Sequence, residues 1–170
     1  TGALTIETWI RRGEWVNAWA TILAKPYFSD KWNHPYIQYK LSRVDNSDQL
    51  RFEFTNSAGN LTNVTTNSSI PADTWMHVVA TYDGQNMKLY LNGQLDVEKP
   101  ETARLAQRET DLYVGANWQD PGIARERFNG LIDGVRIYDY ALDANEINNH
   151  YQSELSDLNS KPTTSITTNV

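Results

Sequence analysis

The segment Phe128-Asn-Gly-Leu-Ile-Asp-Gly-Val-Arg-Ile-Tyr-Asp-Tyr-Ala-Leu142 constrains the fold more than any other part of the chain. Its pattern has period two, which predicts Leu131, Asp133, Val135 and Ile137 on one face and Ile132, Arg136 and Tyr138 on the other. Side chains that alternate in this way belong to a strand, and apolar groups on both faces predict a sheet covered on both sides. Asp143-Ala-Asn-Glu146 follows at once, with an aspartate at the N-cap position and a glutamate three residues on. That pairing opens a short helix.

Strand signals recur through the rest of the chain. Leu4–Ile10, Tyr36–Leu41, Leu50–Phe54, Thr74–Tyr82 and Leu112–Gly115 are short apolar alternations, most of them bounded by turn residues. Met87–Leu91 runs into Asn92-Gly93 and returns as Gln94–Val97. Asn-Gly tolerates the positive φ of a tight hairpin turn, so these two runs are predicted to pair. At least eight strands without intervening helices predict an all-β fold of two antiparallel sheets packed face to face. The polar stretch Asn60–Ser69, with sequons at Asn60, Asn63 and Asn67, reads as a hairpin loop. Residues 1–158 read as one domain, and 159–170, rich in Thr and Ser with little to bury, as a linker or disordered tail.

Composition excludes several function classes. A net charge of -6 lacks the cationic surface that releases counterions from nucleic acid. No apolar run reaches the roughly 20 residues of a membrane span, so membrane insertion is not expected. With no cysteine there is neither disulfide nor thiolate metal site, which points away from an animal extracellular module and toward a bacterial source. Six tryptophans and nine tyrosines in an acidic, polar chain suit stacking against sugar rings.

Four motifs stand in order: Thr5-Ile-Glu-Thr-Trp-Ile10, Trp75-Met-His-Val-Val-Ala-Thr-Tyr-Asp-Gly84, Met87-Lys-Leu-Tyr-Leu-Asn-Gly93 and Phe128–Tyr138 with Ala141-Leu142 and Glu146-Ile147. Over residues 4–151 they resemble the concanavalin A-like, laminin-G-type jelly rolls. The resemblance implies a two-sheet antiparallel jelly-roll sandwich with a short C-terminal helix. It implies a secreted or cell-surface module, attached to other domains of a larger chain, that binds a polysaccharide or glycan. It also implies a structural calcium ion, with Asp133 as the candidate ligand. Family members commonly carry a further strand before the Thr-Ile-Glu segment, and an acidic residue where this chain has Gly134. Function follows loosely from such a scaffold, which also serves adhesive domains and spacers.

Catalysis is not expected. Jelly-roll glycosidases resemble one another in a Glu-x-Asp-x-x-Glu strand that sets two carboxylates side by side. The nearest run here, Glu109-Thr-Asp111, lacks the third member, and the Arg/Glu/Arg and Gln-x-His strands of jelly-roll lyases are missing. His77 reads as a structural strand residue and His150 as lying on the polar side of the terminal helix.

Candidate ligand contacts gather in two segments. Between Arg11 and Tyr36 stand Trp15, Trp19, Tyr27, Trp32 and His34; between Asn117 and Arg127, read as a loop, stand Asn117, Trp118, Arg125 and Arg127. An exposed aromatic stacks on the C–H face of a sugar while a neighbouring amide or charged group reaches its hydroxyl rim. Trp32 and Trp118, in polar turn-rich surroundings, are the leading contacts; Arg125 and Arg127 are expected to share a face. Trp9 and Trp75 match strand positions and are assigned to the core.

Overall fold

A computed structural model describes residues 2–27, 35–120 and 123–160, with backbone alone at 118–120, 123–125 and 157–160. In chain order the elements are β1 (Leu4–Arg12), β2 (Thr21–Pro26), β3 (Ile37–Arg43), β4 (Leu50–Thr55), β5 (Leu61–Thr65), β6 (Trp75–Tyr82), β7 (Asn86–Leu91), β8 (Gln94–Pro100), β9 (Tyr113–Val114), β10 (Asn117–Asp120), β11 (Ile123–Arg125), β12 (Gly130–Tyr138) and α1 (Ala144–Ser160). One sheet has the order β12-β1-β6-β7-β8 and the other β5-β4-β3-β2-β9, with every neighbouring pair antiparallel. The expected two-sheet jelly roll is what forms.

Alternation builds the core. Ile6 and Ile10 of β1, Ile37 and Leu41 of β3, Phe52 and Phe54 of β4, and Val78 and Ala80 of β6 point between the sheets. Each large side chain removed from water there contributes about 1.5–3 kcal/mol. A second, smaller cluster lies outside the first sheet, where Val79, Tyr90 and Leu142 pack with Ile147 of α1. The capping box forms as expected. Asp143 Oδ1 accepts the amides of Asn145 and Glu146 at 2.8 Å, and Glu146 Oε2 accepts the Asp143 amide at 2.8 Å.

Four expectations need correction. The two faces assigned to β12 are interrupted, because Glu7 pairs with Arg136 while Trp9 pairs with Asp133. One residue of β1 therefore faces two of β12, a bulge permitted by Gly134 at φ +59°. Ile132 and Val135 pack against the core, Ile137 opposite Ile6 remains 38% exposed, and Asp133, Arg136 and Tyr138 lie on the outer side. Asn60–Ser69 is not all loop, since Leu61–Thr65 is a strand that turns Thr62 and Val64 into the sandwich. Asn117–Arg127 is a β-hairpin rather than a loop. His150 leaves the polar side of α1 and places Nδ1 3.0 Å from Glu7 Oε1.

Candidate functional site

Strand register decides which polar side chains share the outer face of the second sheet. Lys40 pairs with Glu53 and Ser42 with Arg51 across β3 and β4, while Thr21 of β2 lies opposite Ser42 on the other side. The inward residues of these strands are the core, so these polar ones face out. Outward polar residues are ordinarily solvated. Here they are covered: Lys40 is 2% and Glu53 3% exposed, buried to nearly the same degree as the core, and Ser42 is fully buried.

Three segments make the walls. The connection from β1 to β2 is pinned by Asn17, whose Nδ2 donates to the Arg127 carbonyl at 2.7 Å and whose Oδ1 accepts the Trp19 amide at 3.1 Å. Arg43 Nη1 donates to the Asn17 carbonyl at 2.9 Å. The Trp19 indole is thereby fixed over the face and remains 38% exposed, with the Arg51 guanidinium 5.5 Å and the Lys40 ammonium 6.0 Å from its ring centre. The β10–β11 hairpin supplies Asn117, and residues 108–110 close the far end through Gln38. The Gln38 amide accepts the Arg108 backbone N–H at 2.9 Å and donates to the Arg108 carbonyl at 2.7 Å.

Glu126 ties the site together. Its Oε2 accepts hydrogen bonds from Lys40 Nζ at 2.8 Å, Asn117 Nδ2 at 2.9 Å and Thr21 Oγ1 at 3.2 Å. Its backbone carbonyl accepts the Thr21 amide at 2.7 Å. The residue adopts φ +52°, a left-handed conformation that is strained for any side chain other than glycine. Burial pushes the Glu53 carboxyl above its ordinary range, with Glu126 adding to the rise and Lys40 and Arg51 opposing it. Tyr36, just ahead of β3, senses the same groups. Burial, then the charges of Glu53 and Glu126, raise its phenol above the ordinary value.

Among the described residues four buried side-chain polar atoms find no protein partner: Ser42 Oγ, Arg51 Nε, Asn117 Oδ1 and His77 Nδ1. The first three lie on this one face, beside Trp19. An orphaned buried polar atom costs about 1–3 kcal/mol, so a cluster of three is unusual for a purely structural surface. A cleft of about 870 Å³ at one end of the sandwich, lined by Leu4, Tyr39, Leu105, Arg108, Tyr138 and Tyr140, contains none of these atoms. The covered sheet face is therefore the candidate site.

Of the expected contacts, the structure brings Trp19 and Asn117 to this face. Trp15 sits elsewhere, half-buried against the core edge. It donates to Asp48 Oδ1 at 2.8 Å and lies under the guanidinium groups of Arg12 and Arg43. Tyr27 lines a separate cleft with Arg104 and Arg108, and the Arg108 guanidinium is 5.0 Å from its ring. Arg127 is exposed and bridges to Thr21 through its backbone. Glu126, between Arg125 and Arg127, takes a left-handed backbone conformation, and whether the two arginines share a face lies outside the described residues. Trp32 and His34 lie outside the described residues, as do the side chains of Trp118 and Arg125. Sequence reasoning missed Lys40, Ser42, Arg51, Glu53 and Glu126.

Asp133, the calcium ligand expected from the sequence, stands apart, among the described residues, from other carboxylates that could share an ion with it. It is exposed, its Oδ1 accepts the Gly134 amide at 2.8 Å, and no group of three or more His, Asp or Glu side chains gathers as ligands among the described residues. Calcium takes six to eight oxygens.

The sequence model of the concanavalin A-like lectin/glucanases superfamily matches residues 1–148. The chain belongs to that superfamily. No curated protein matches it. Solved structures with the same fold include a candidate carbohydrate-binding protein from Bacteroides ovatus, 19% identical with a TM-score of 0.67. That match covers 86% of this chain and 40% of the other. Domain 4 of an extracellular GH43 arabinanase from Geobacillus stearothermophilus, solved with arabinotriose, is 20% identical with a TM-score of 0.63. The match covers 87% of this chain and 66% of that one. The receptor-binding domain of botulinum neurotoxin type G is 14% identical with a TM-score of 0.64, over 91% of this chain and 38% of the other. This superfamily member thus spans less than two thirds of each of those chains. No helix among the described residues is long and apolar enough to cross a membrane.

Proposed function

We propose that this chain is a non-catalytic glycan-binding module of a larger secreted or cell-surface protein, and that its ligand lies on the outer face of the second sheet. The observation that carries this reading is the exposed Trp19 indole, held in place by its own loop over a charged and polar sheet face. Trp19 is the stacking platform, with the Arg51 guanidinium 5.5 Å from its ring centre and Ser42 and Asn117 buried beneath it. The carbohydrate-binding description of the Bacteroides protein and the arabinotriose bound to the arabinanase domain support a sugar ligand. Trp32 and Trp118 are the expected rim contacts.

Titration calorimetry against a glycan panel tests the proposal. Trp19→Ala is expected to weaken binding by about 1–3 kcal/mol, the size of an aromatic anchor, with circular dichroism unchanged. Equal affinity in that variant removes Trp19 from the site, and alanine variants of Trp32 and Trp118 belong in the same titration.

One observation favours hydrolysis as a second reading. Glu53, its carboxyl raised by burial, stands near Glu126, as an acid beside a second carboxylate would. Against it, Glu126 Oε2 already accepts three hydrogen bonds from protein donors, one of them from the buried Lys40, which makes Glu126 a structural partner. Release of new reducing ends from a bound polysaccharide would overturn the non-catalytic assignment.

A further inference from the structure

The first sheet ends in β12, and no described strand pairs with its outer edge. Such an edge presents a row of backbone N–H and C=O groups that a further strand can take up, and proteins ordinarily blunt it with charge, proline or a short length. β12 is nine residues long, holds no proline, and carries exposed apolar groups near both ends, with Leu131 54% and Ile137 38% exposed. Ile137 lies opposite the buried Ile6 and yet is left open, beside the cleft lined by Leu4, Tyr39 and Leu105. The β9 edge of the second sheet lies along the same flank, where Gly115 faces Ile132, and its Leu112 and Val114 are exposed as well.

The bulge at Gly134 decides which strand suits that edge. It puts Asp133 and Arg136, three positions apart, on the same outer side. A regular strand alternates strictly, so one residue of β12 is left unpaired against it, as happens opposite β1. A second β12, running antiparallel about a two-fold axis between Gly134 and Val135, carries the same phase shift at the same place. Leu131 then lies opposite the partner's Tyr138, Ile132 opposite the partner's Ile137, and Asp133 opposite the partner's Arg136. Outer residues meet outer residues and inner meet inner on both sides of the axis. The two-fold repeats each pairing, so opposite charges face one another twice and isoleucines twice. Both charged groups are accessible: Asp133 is exposed, and Arg136, whose side chain is 42% exposed, meets Glu154 through Nη1 and keeps further N–H groups.

We propose that β12 is a self-complementary interface, through which two copies of this chain join their five-stranded sheets into one continuous antiparallel sheet. Ile132 of each copy then covers Ile137 of the other, which accounts for an apolar residue left open at the cleft in the single chain. The Trp19 face belongs to the other sheet, so the pairing does not depend on whether that face binds glycan.

Sedimentation equilibrium of the chain from about 1 to about 500 µM, a span that covers weak to firm self-association, tests the proposal. The expected result is a reversible rise from the mass of one chain to that of two. Asp133→Arg sets two arginines against each other at both ends of the contact and should weaken dimerisation by about tenfold or more. Leu131→Lys should do the same by bringing a charge against Tyr138. Both positions are exposed, so melting temperatures measured on dilute samples should match the parent's. Asp133→Asn keeps the oxygen that caps the Gly134 amide and loses only the charge, so its dimer should fall between those of the parent and Asp133→Arg. A single-chain mass throughout that range would overturn the proposal. So would a dimer that either Asp133→Arg or Leu131→Lys leaves unchanged, because its contact then lies elsewhere. Masses that climb past two copies would overturn it too, because a two-fold contact closes on itself.

Discussion

Glu126 illustrates how one residue can be unfavourable locally and required by its surroundings. Its backbone sits at φ +52°, where a side chain costs about 1 kcal/mol, yet its carboxylate is the partner of a lysine almost wholly removed from water. Removing one member of a buried pair costs about 3–5 kcal/mol, so the ion pair outweighs the strain. Glu126→Ala and Glu126→Gly both abolish the pair, but only glycine relieves the backbone. Urea unfolding should therefore show both variants destabilised by about 3 kcal/mol or more, with Glu126→Gly the more stable of the two by about 1 kcal/mol. If alanine and glycine proved equal, the left-handed conformation would not be the source of strain.

At the scale of elements, α1 is fastened to the first sheet by a buried polar cluster rather than by apolar contact alone. Glu7 of β1 and His77 of β6 are both fully buried, with His77 Nε2 2.9 Å from Glu7 Oε1. His150 of α1 approaches the same carboxylate, and the Tyr138 hydroxyl donates to its Oε2 at 3.1 Å. Tyr151 of α1 stacks on Trp9 and His77, and Trp9 donates from Nε1 to Glu154. Burial alone would raise the Glu7 carboxyl, but the His77 hydrogen bond and the charges of both histidines bring it below its ordinary 4.5. A carboxyl that ionises more readily folded than unfolded stabilises the fold above that value and stops doing so as pH falls below it. Denaturation midpoints should accordingly drop between about pH 5 and pH 3, and Glu7→Gln should be less stable by about 3 kcal/mol at neutral pH with a flatter acid limb. The same variant offers a spectroscopic check. Burial, followed by the Glu7 charge and hydrogen bond, pushes the Tyr138 phenol up to about 12, so ultraviolet titration of Glu7→Gln should show Tyr138 ionising at lower pH. An acid limb as steep as the parent's would exclude Glu7 as the titrating group.

Most of the strands, one hairpin and the helix cap were legible because they depend on local pattern: alternation, the Asn92-Gly93 turn, and Asp143 with Glu146. The bulge at Gly134 was not, since a single left-handed glycine shifts the phase of every later side chain and composition does not mark it. The site was legible only in part. Trp19 and Asn117 stood out as an aromatic and an amide in irregular sequence. Lys40, Ser42, Arg51 and Glu53 instead have the pattern of a solvated outer face, and only the folding of the β1–β2 connection and the β10–β11 hairpin over that face buries them. Those contacts join residues 17 and 127, or 40 and 126, and no spacing along the chain announces them.

For the whole molecule, the first strand pairs with the last, so the first sheet is not complete until residues near 138 are in place. The ligand face is likewise assembled from both halves, with Trp19 and Lys40 on one side and Asn117 and Glu126 on the other. A ligand that joins these parts binds the folded state and has nothing equivalent in the unfolded chain, so binding must raise the melting temperature. At one hundred times its dissociation constant a glycan adds about 2.7 kcal/mol. For a domain of this size, each kcal/mol moves the midpoint by about 2–4 °C, which gives a rise of about 5–10 °C. Trp19→Ala, measured at the same glycan concentration, should lose most of that rise while its ligand-free midpoint stays near the parent's, because an exposed indole contributes little to the core. A chelator in the ligand-free melt tests the calcium expected at Asp133 by the same linkage: a bound ion lowers the midpoint when it is withdrawn, and an unchanged melt means that the fold stands without one. A full glycan-induced rise in Trp19→Ala would show that the ligand sits somewhere other than the face where the three orphaned atoms lie.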